Sequence, residues 1–344
     1  MERAWNGYYP EELERKAQEF GQPTFRGKQL FHFFHQEGKT EIEESTVFSK
    51  SLKEKWARLP IRRLHIIKEL LSKDGSSKFL LQTDDAAIIE SVYMPYEDRV
   101  SACISTEIGC KMGCRFCAST KASFVRPLRA EEMCQEIYLM EKEKGKRIDH
   151  IVLMGIGEPF DNYQEVVRFL RLITHPLGAD KSVRNITLST CGLVEKIRQF
   201  SQENLPINLA ISLHATRDDI RKRTMPIANK YSIQEILDAC KTYFRETGRR
   251  VSLEYTLIQG VNDTGEDLEW MAKNLSGKEF HVNLIPLNEI EEYAGKATGE
   301  NALEHFRQEL IKHGVQVTVR QRRGGDIDAA CGQLRSQWEK NGEQ

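Results

Sequence analysis

Apolar and polar positions fall into three textures along the chain. Over residues 1–65 apolar positions recur at helical spacing in ELERKAQEF, FRGKQLFHFFHQ and SLKEKWARL, which predicts a helical region. From Ile66 the pattern shortens to the runs IIKELLS, SSKFLLQT and AAIIESVYMP, which read as a small set of β-strands. From about residue 100 a third rhythm begins. Short β-rich runs stand at 102–106, 149–155, 184–190, 207–213, 251–258 and 281–287, with a last one at 315–320. Helical patterns separate them, among them RAEEMCQEIYLMEKEKG, YQEVVRFLRLI and SIQEILDACKTYFRETG. Continuous apolar strands alternating with helices predict a parallel sheet covered by helices, and six repeats suit an open or partial barrel. The expected α/β architecture has a helical accessory domain at 1–65, a β extension at 66–100 and a partial (β/α)6 barrel core at 101–335.

Composition adds little to this and removes some alternatives. Of 344 residues, 40% are apolar and 29% charged, the mix of a soluble globular protein with a full core. No run approaches the length of a membrane span. The N-terminus lacks a basic start followed by an apolar stretch, so a cytoplasmic protein is expected. Net charge is −1, so any nucleic-acid partner has to be met by a local basic patch. Eight cysteines are too few for a disulfide scaffold of this size, and clustered thiols then point to metal or catalysis.

In such barrels chemistry sits just past the C-terminal ends of the strands. Five sets of residues fall there. They are the cysteine loop, the Gly155–Pro159 turn with Gly157 and Glu158, then Ser189 and Thr190, then Ser212, Leu213 and His214, and last Asn288. Gly157 permits close approach of backbone to a ligand. Glu158 can accept from an amino group, and Ser189, Ser212, His214 and Asn288 offer polar contacts to ribose, carboxylate or adenine. The spacing of a Rossmann nucleotide site is absent.

Cys110, Cys114 and Cys117 place three thiols within eight residues. Thiolates are soft ligands for iron–sulfur clusters or zinc. Structural zinc usually takes four ligands, often as two separated pairs, and no clear second pair is present, although a zinc knuckle remains the alternative. Three ligands on a four-iron cluster leave one iron open. Cys134, Cys191 and Cys240 carry no motif, and Cys134 and Cys240, in helical patterns, read as core thiols.

This Cys-x3-Cys-x2-Cys loop after a first barrel strand resembles the signature of the radical S-adenosylmethionine superfamily. Within it, GDIDAACGQL at 325–334 resembles the terminal motif of the RlmN/Cfr family of RNA adenosine methyltransferases. Cys103 stands seven residues before Cys110, as in that family. The turn at 157–159, the runs ending at Thr190 and His214, NLIPLN at 283–288 and FRGKQLF at 25–31 match as well, so the likeness covers essentially the whole chain.

The resemblance implies a [4Fe–4S] cluster on Cys110, Cys114 and Cys117 whose open iron chelates S-adenosylmethionine and whose electron cleaves it to a 5′-deoxyadenosyl radical. The target is an electron-poor adenine carbon, which does not attack a methyl sulfonium. The family's route is a detour through protein sulfur. Cys331 takes a methyl from one S-adenosylmethionine and loses a hydrogen to the radical generated from a second. Its carbon then adds to the ring, and Cys103 releases the product by forming a transient Cys103–Cys331 disulfide. The resemblance assigns the ring proton to Glu90, in the strand-like run at 88–95; alone, a Glu there reads as a surface residue.

The implied partners are 23S rRNA, with tRNA as a second substrate, and a flavodoxin-type electron donor; a monomer without membrane contact is expected. Two basic groups are candidates for phosphate contacts: Lys50, Lys53, Lys55, Arg58, Arg62 and Arg63, and then Arg320, Arg322 and Arg323. Each also reads as an ordinary solvated charged face. The target adenine has to leave its stack to meet a barrel-end site. Pro159 favours the carbon-2 branch of the family; the alternative is carbon-8 methylation, which confers antibiotic resistance. The run Ala118–Leu128 lacks the glycines and the asparagine usual after the third cysteine. Rival readings are a radical enzyme of another substrate, which needs neither Cys103 nor Cys331, and a zinc-bearing RNA-binding module.

Overall fold

The computed structural model describes residues 3–335, so the first two residues of the expected helical part lie outside it. Three helices open the chain: α1 (Pro10–Glu19), α2 (Phe25–His35) and α3 (Lys50–Trp56). Proline is at home in the first turn of α1, and the Glu12 carboxylate accepts from the Tyr9 amide at 2.7 Å, satisfying a donor the helix leaves free. Helices α1 and α2 cross closely. A Cβ on Gly27 would lie 2.3 Å from the Glu14 backbone nitrogen, so this face of α2 requires glycine. Leu13, Leu30, Phe31, Phe33 and Phe34 are buried with Trp5, Phe48 and Trp56 in one core that continues into the barrel without a break.

Strands β1 (Leu64–Leu71), β2 (Ser77–Thr83) and β3 (Ile88–Pro95) form an antiparallel meander. β3 pairs antiparallel with β4 (Val100–Cys103), so the meander is an edge of the barrel sheet. A two-stranded ribbon follows, β5 (Glu107–Ile108) with β6 (Arg126–Pro127), then α4 (Ala130–Lys144). The remaining elements alternate: β7 (His150–Leu153), α5 (Tyr163–Ile173), β8 (Ile186–Thr190), α6 (Val194–Phe200), β9 (Asn208–Ser212), α7 (Asp218–Thr224) and α8 (Ile233–Thr247). They end with β10 (Val251–Leu257), α9 (Gly265–Leu275), β11 (Phe280–Pro286), α10 (Glu300–Lys312) and β12 (Val317–Val319).

One ten-stranded sheet results, in the order β1-β2-β3-β4-β7-β8-β9-β10-β11-β12. From β4 onward every pairing is parallel and joins successive strands, each crossover carrying helix. All their C-terminal ends therefore reach the same rim. The fold is the α/β partial barrel expected from the pattern. Within the barrel, Glu254 and Thr256 sit two apart on β10 and share one face. The run expected at 102–106 stops as a strand at Cys103. Beyond it the Ser105 hydroxyl donates to the Glu90 carbonyl and accepts from the Ile156 amide, diverting the chain toward the cysteine loop. Among the described residues no helix is long and apolar enough to cross a membrane.

Gly27→Ala tests the close crossing of α1 and α2. Alanine favours a helix by about 1 kcal/mol, whereas overpacking costs about 1–3 kcal/mol, and contact with backbone leaves no flexible atom to yield. The variant is expected to unfold at lower urea concentration than wild type, and an equal or higher midpoint would contradict the crossing.

Candidate active site

The rim of the parallel strands encloses a cavity of about 160 Å³. Cys110, Cys114 and Cys117 line one wall, on a loop turned by Gly109 (φ 79°) and Gly113 (φ 72°). The loop is braced by the Arg115 amide on the Thr224 carbonyl (2.9 Å) and the Thr120 hydroxyl on the Cys114 carbonyl (3.0 Å). Burial raises the pKa of all three thiols, that of Cys114 to about 12. Three such thiols side by side need a cation to ionise. Among the described residues no three His, Cys, Asp or Glu side chains are placed to hold a single metal ion. Three soft thiol donors on one wall suit a cluster, whose ligands bind different irons.

Past β7, Gly157 adopts φ 110°, and a Cβ there would lie 2.7 Å from the Glu107 side chain. Glu107 accepts from the Glu158 amide at 2.8 Å, and burial pushes its pKa up to about 8. The Glu158 carboxylate accepts from the Cys191 amide (2.7 Å) and the Phe160 amide (3.0 Å), tying the ends of β7 and β8 together. His214 (φ 53°) accepts from the Thr256 amide at Nδ1 (2.9 Å), which puts its ring proton on Nε2. Burial lowers its pKa to about 3, so the ring is neutral. Asn288 donates to the Cys331 carbonyl at 3.0 Å while its buried Oδ1 has no protein partner, leaving an acceptor for a ligand.

Of the sequence-expected residues, Gly157, Glu158, Ser189, Ser212, His214 and Asn288 line this cavity with the three cysteines and Cys331. Leu213 does not. Its side chain is in the hydrophobic core, and only its backbone serves the site, through the Arg221 contact below. Cys103 lies instead on a second cavity of about 50 Å³, where burial and then the neighbouring Cys331 push its pKa up to about 12. Cys331 lines both. Its segment is pinned by the Ala118 amide on the Gly332 carbonyl (2.7 Å) and the Ser119 hydroxyl on the Leu334 carbonyl (2.8 Å). Those donors belong to the run that departs from the family pattern.

Glu90 lines neither cavity. Its carboxylate is 3.2 Å from Lys78 Nζ and accepts from the Arg335 amide at 2.9 Å, and burial raises its pKa. Of the first basic group, Lys50, Lys55 and Arg58 are exposed. Arg63 pairs with Glu41 (2.6 Å), Lys53 donates to the Glu43 carbonyl, and Arg62 faces Glu131 and Glu132. Arg322 is exposed, and Arg320, its side chain 24% exposed, lines both cavities. Cys134 and Cys240 are buried core thiols. Cys191, which carries no motif, lines the first cavity.

The pattern along the chain also passes over Arg221. It is wholly buried beneath the rim, with Nε on the Leu213 carbonyl (3.0 Å) and Nη2 on the carbonyls of Cys191 (2.6 Å) and Ser212 (3.1 Å). One guanidinium thus gathers the ends of β8 and β9. Position past a strand end was the available signal, but an arginine in a charged helix, DDIRKRT, reads as surface. Arg221→Met strands these acceptors and is expected to cost about 3 kcal/mol or more in urea unfolding, with Lys a poor substitute because it lacks the fork. A midpoint equal to wild type would contradict this role.

A sequence profile of the radical SAM superfamily matches residues 104–274. A protein of Finegoldia magna named as a probable dual-specificity RNA methyltransferase RlmN is 48% identical over 92% of this chain and 91% of its own. One of Clostridium perfringens with the same name is 47% identical over 96% of each chain. The crystal structure of a radical SAM methyltransferase from Sphaerobacter thermophilus superposes with a TM-score of 0.93 at 39% identity, covering 98% of this chain and 100% of that one.

Proposed function

The chain belongs to the RlmN family of radical SAM RNA methyltransferases, and from that premise we propose that it methylates carbon 2 of an adenosine in 23S rRNA and in tRNA. The observation that carries the reading is the place of Cys331, on the wall shared by the cavity of the cysteine triad and the cavity of Cys103. A methyl carrier must be reached from two sides, by the methyl donor and by the thiol that releases the product.

Cys110, Cys114 and Cys117 are the residues that would hold a [4Fe–4S] cluster. With S-adenosylmethionine bound, that cluster supplies a hydrogen-abstracting 5′-deoxyadenosyl radical. The protein's own residues then have defined tasks. Gly157, Glu158, Ser189, Ser212, His214 and Asn288 hold the methyl donor, His214 donating through Nε2 and Asn288 accepting through Oδ1. The Leu213 contribution is confined to backbone. The Cys331 thiolate takes the methyl group from sulfonium sulfur, becoming a thioether. After that methyl loses a hydrogen atom, its carbon adds to the adenine ring, and the ring radical so formed gives up one electron, which the cluster, when bound, would take back. Glu90, kept basic by burial and adjacent to the Cys331 segment through Arg335, accepts the ring proton. Cys103 attacks the Cys331 sulfur, the sulfur–carbon bond to the product breaks, and a disulfide remains for an external reductant to reopen. A flavodoxin-type donor, a monomeric state and a cytoplasmic site of action complete the proposal, together with the three-part organisation at residue 65 and residue 100.

Incubation with S-adenosylmethionine, reductant and a large-subunit rRNA fragment, followed by nucleoside mass spectrometry, tests this. It is expected to yield 2-methyladenosine, abolished in Cys331→Ala. Dominant 8-methyladenosine would overturn the carbon-2 choice, and undiminished product in Cys331→Ala would overturn the carrier.

A further inference from the structure

Two arginines of the basic run before the Cys331 motif have no task in the mechanism. Arg322 and Arg323 line the second cavity, whose wall also carries Cys103 and Cys331. Arg322 is exposed, so this wall reaches the surface. Both side chains are held in place without a carboxylate. The Arg323 guanidinium lies 4.6 Å from the centre of the Tyr96 ring, and its Nη1 donates to the Asp74 carbonyl at 3.1 Å. Its buried Nε has no partner among the described residues. Arg322 lies over Gly325, where a Cβ would come 2.6 Å from its Nε. Among the described residues no hydrogen bond or ion pair engages the Arg322 side chain. The Tyr96 ring carries a second guanidinium, that of Arg99, also at 4.6 Å. Neighbouring carboxylates are engaged elsewhere: Asp98 pairs with Arg99 at 3.1 Å, Asp74 accepts from the Gly324 and Ser76 amides, and Asp326 from Ser72 and Lys73. Arg320, the remaining arginine of the run, is 3.6 Å from Glu254. Like charges that share one ring repel, and an anion set beside them lowers that cost.

We propose that Arg322 and Arg323, the latter held by Tyr96, form the wall on which RNA docks, taking the phosphate oxygens beside the target adenosine while its base enters toward Cys331. This rests on the proposed function above. A base that leaves its stack brings its flanking phosphates to the rim it passes. Guanidinium forks match phosphate oxygens in pairs, and such contacts fix the strand's position without reading its sequence. With a net charge of −1 the chain has no bulk attraction for RNA, so a local group of cations has to supply it. An ordinary solvated face does not explain Arg323, whose Nε is out of reach of water and whose guanidinium rests on a ring. Tyr96 is a positioning residue in this scheme. It aims Arg323, and it contributes no charge of its own.

The test is binding of a fluorescent large-subunit rRNA fragment to the full cluster-loaded chain, without oxygen, S-adenosylmethionine or reductant, read by anisotropy across a salt series. Arg322→Ala and Arg323→Ala are each expected to weaken binding about fivefold at about 0.1 M salt. Each is also expected to lower the slope of log affinity against log salt by about 0.7, the share of one single-strand phosphate contact. Tyr96→Leu removes no charge and is expected to weaken binding about two- to fivefold, with Tyr96→Phe restoring it. Wild-type affinity and slope in both arginine variants, with iron content and unfolding midpoint unchanged, would overturn the proposal, as would a wild-type slope near zero. If Arg323→Ala fails to fold, Arg322→Ala, at an exposed position, carries the test alone. The readout needs no methyl transfer. A fragment that binds with these losses yet yields no methyladenosine would sink the proposed function and leave the docking wall standing. Normal methylation with unaltered binding in the variants would do the reverse.

Discussion

Everything at this site depends on the return of the C-terminal segment to the strand ends. That segment makes no sheet of its own and is held by hydrogen bonds along its length. Asp74 receives the Gly324 amide at 2.9 Å, and Asp326 receives the Ser72 hydroxyl at 2.5 Å and the Lys73 amide. Lys78 then donates to the Asp328 carbonyl, Ala118 to the Gly332 carbonyl, and Arg335 to Glu90. The meander β1–β3, an accessory by sequence position, supplies all of these contacts but that of Ala118, which comes from the end of the cysteine loop. Their combined result is one sulfur on the wall between two cavities.

The electrostatics of the site follow from the same burial. Glu107, Glu158 and Glu254 are all shifted upward by desolvation. Glu158 accepts from the Cys191 and Phe160 amides and Glu254 from Asn283, whereas Glu107 accepts from the Glu158 amide through one oxygen and its buried Oε1 has no protein partner among the described residues. The ionic anchors, Arg221 and Arg320, act in different places. Arg221 ties backbone carbonyls beneath the rim, and Arg320 lines both cavities beside Glu254. Neither arrangement gains much from charge pairing alone, since buried ions cost desolvation. What each provides is a fixed geometry at the strand ends.

The sequence pattern made the parallel core legible because strands buried on both faces read as continuous apolar runs, and the rule of strand ends then located Gly157, Ser189, Ser212 and Asn288. The cysteine spacing pointed to the triad, and family likeness alone pointed to Cys103, Cys331 and Glu90. What stayed hidden was hidden for physical reasons. Arg221 and Arg320 sit in basic runs that look solvated, yet the topology turns them inward. Leu213 looks like a site residue by position, but strand alternation sends its side chain to the core. The departure at Ala118–Leu128 looked like a loss, whereas Ala118 and Ser119 hold the Cys331 segment in place.

The central claim is that carbon passes to RNA through Cys331 and leaves through attack by Cys103. The most direct measurement uses Cys103→Ala, with the cluster intact, S-adenosylmethionine, reductant and substrate RNA, followed by mass mapping of the protein. Without the releasing thiol the account predicts RNA covalently attached through one carbon to the Cys331 peptide. Free methylated RNA at the wild-type yield, with an unmodified Cys331, would contradict it.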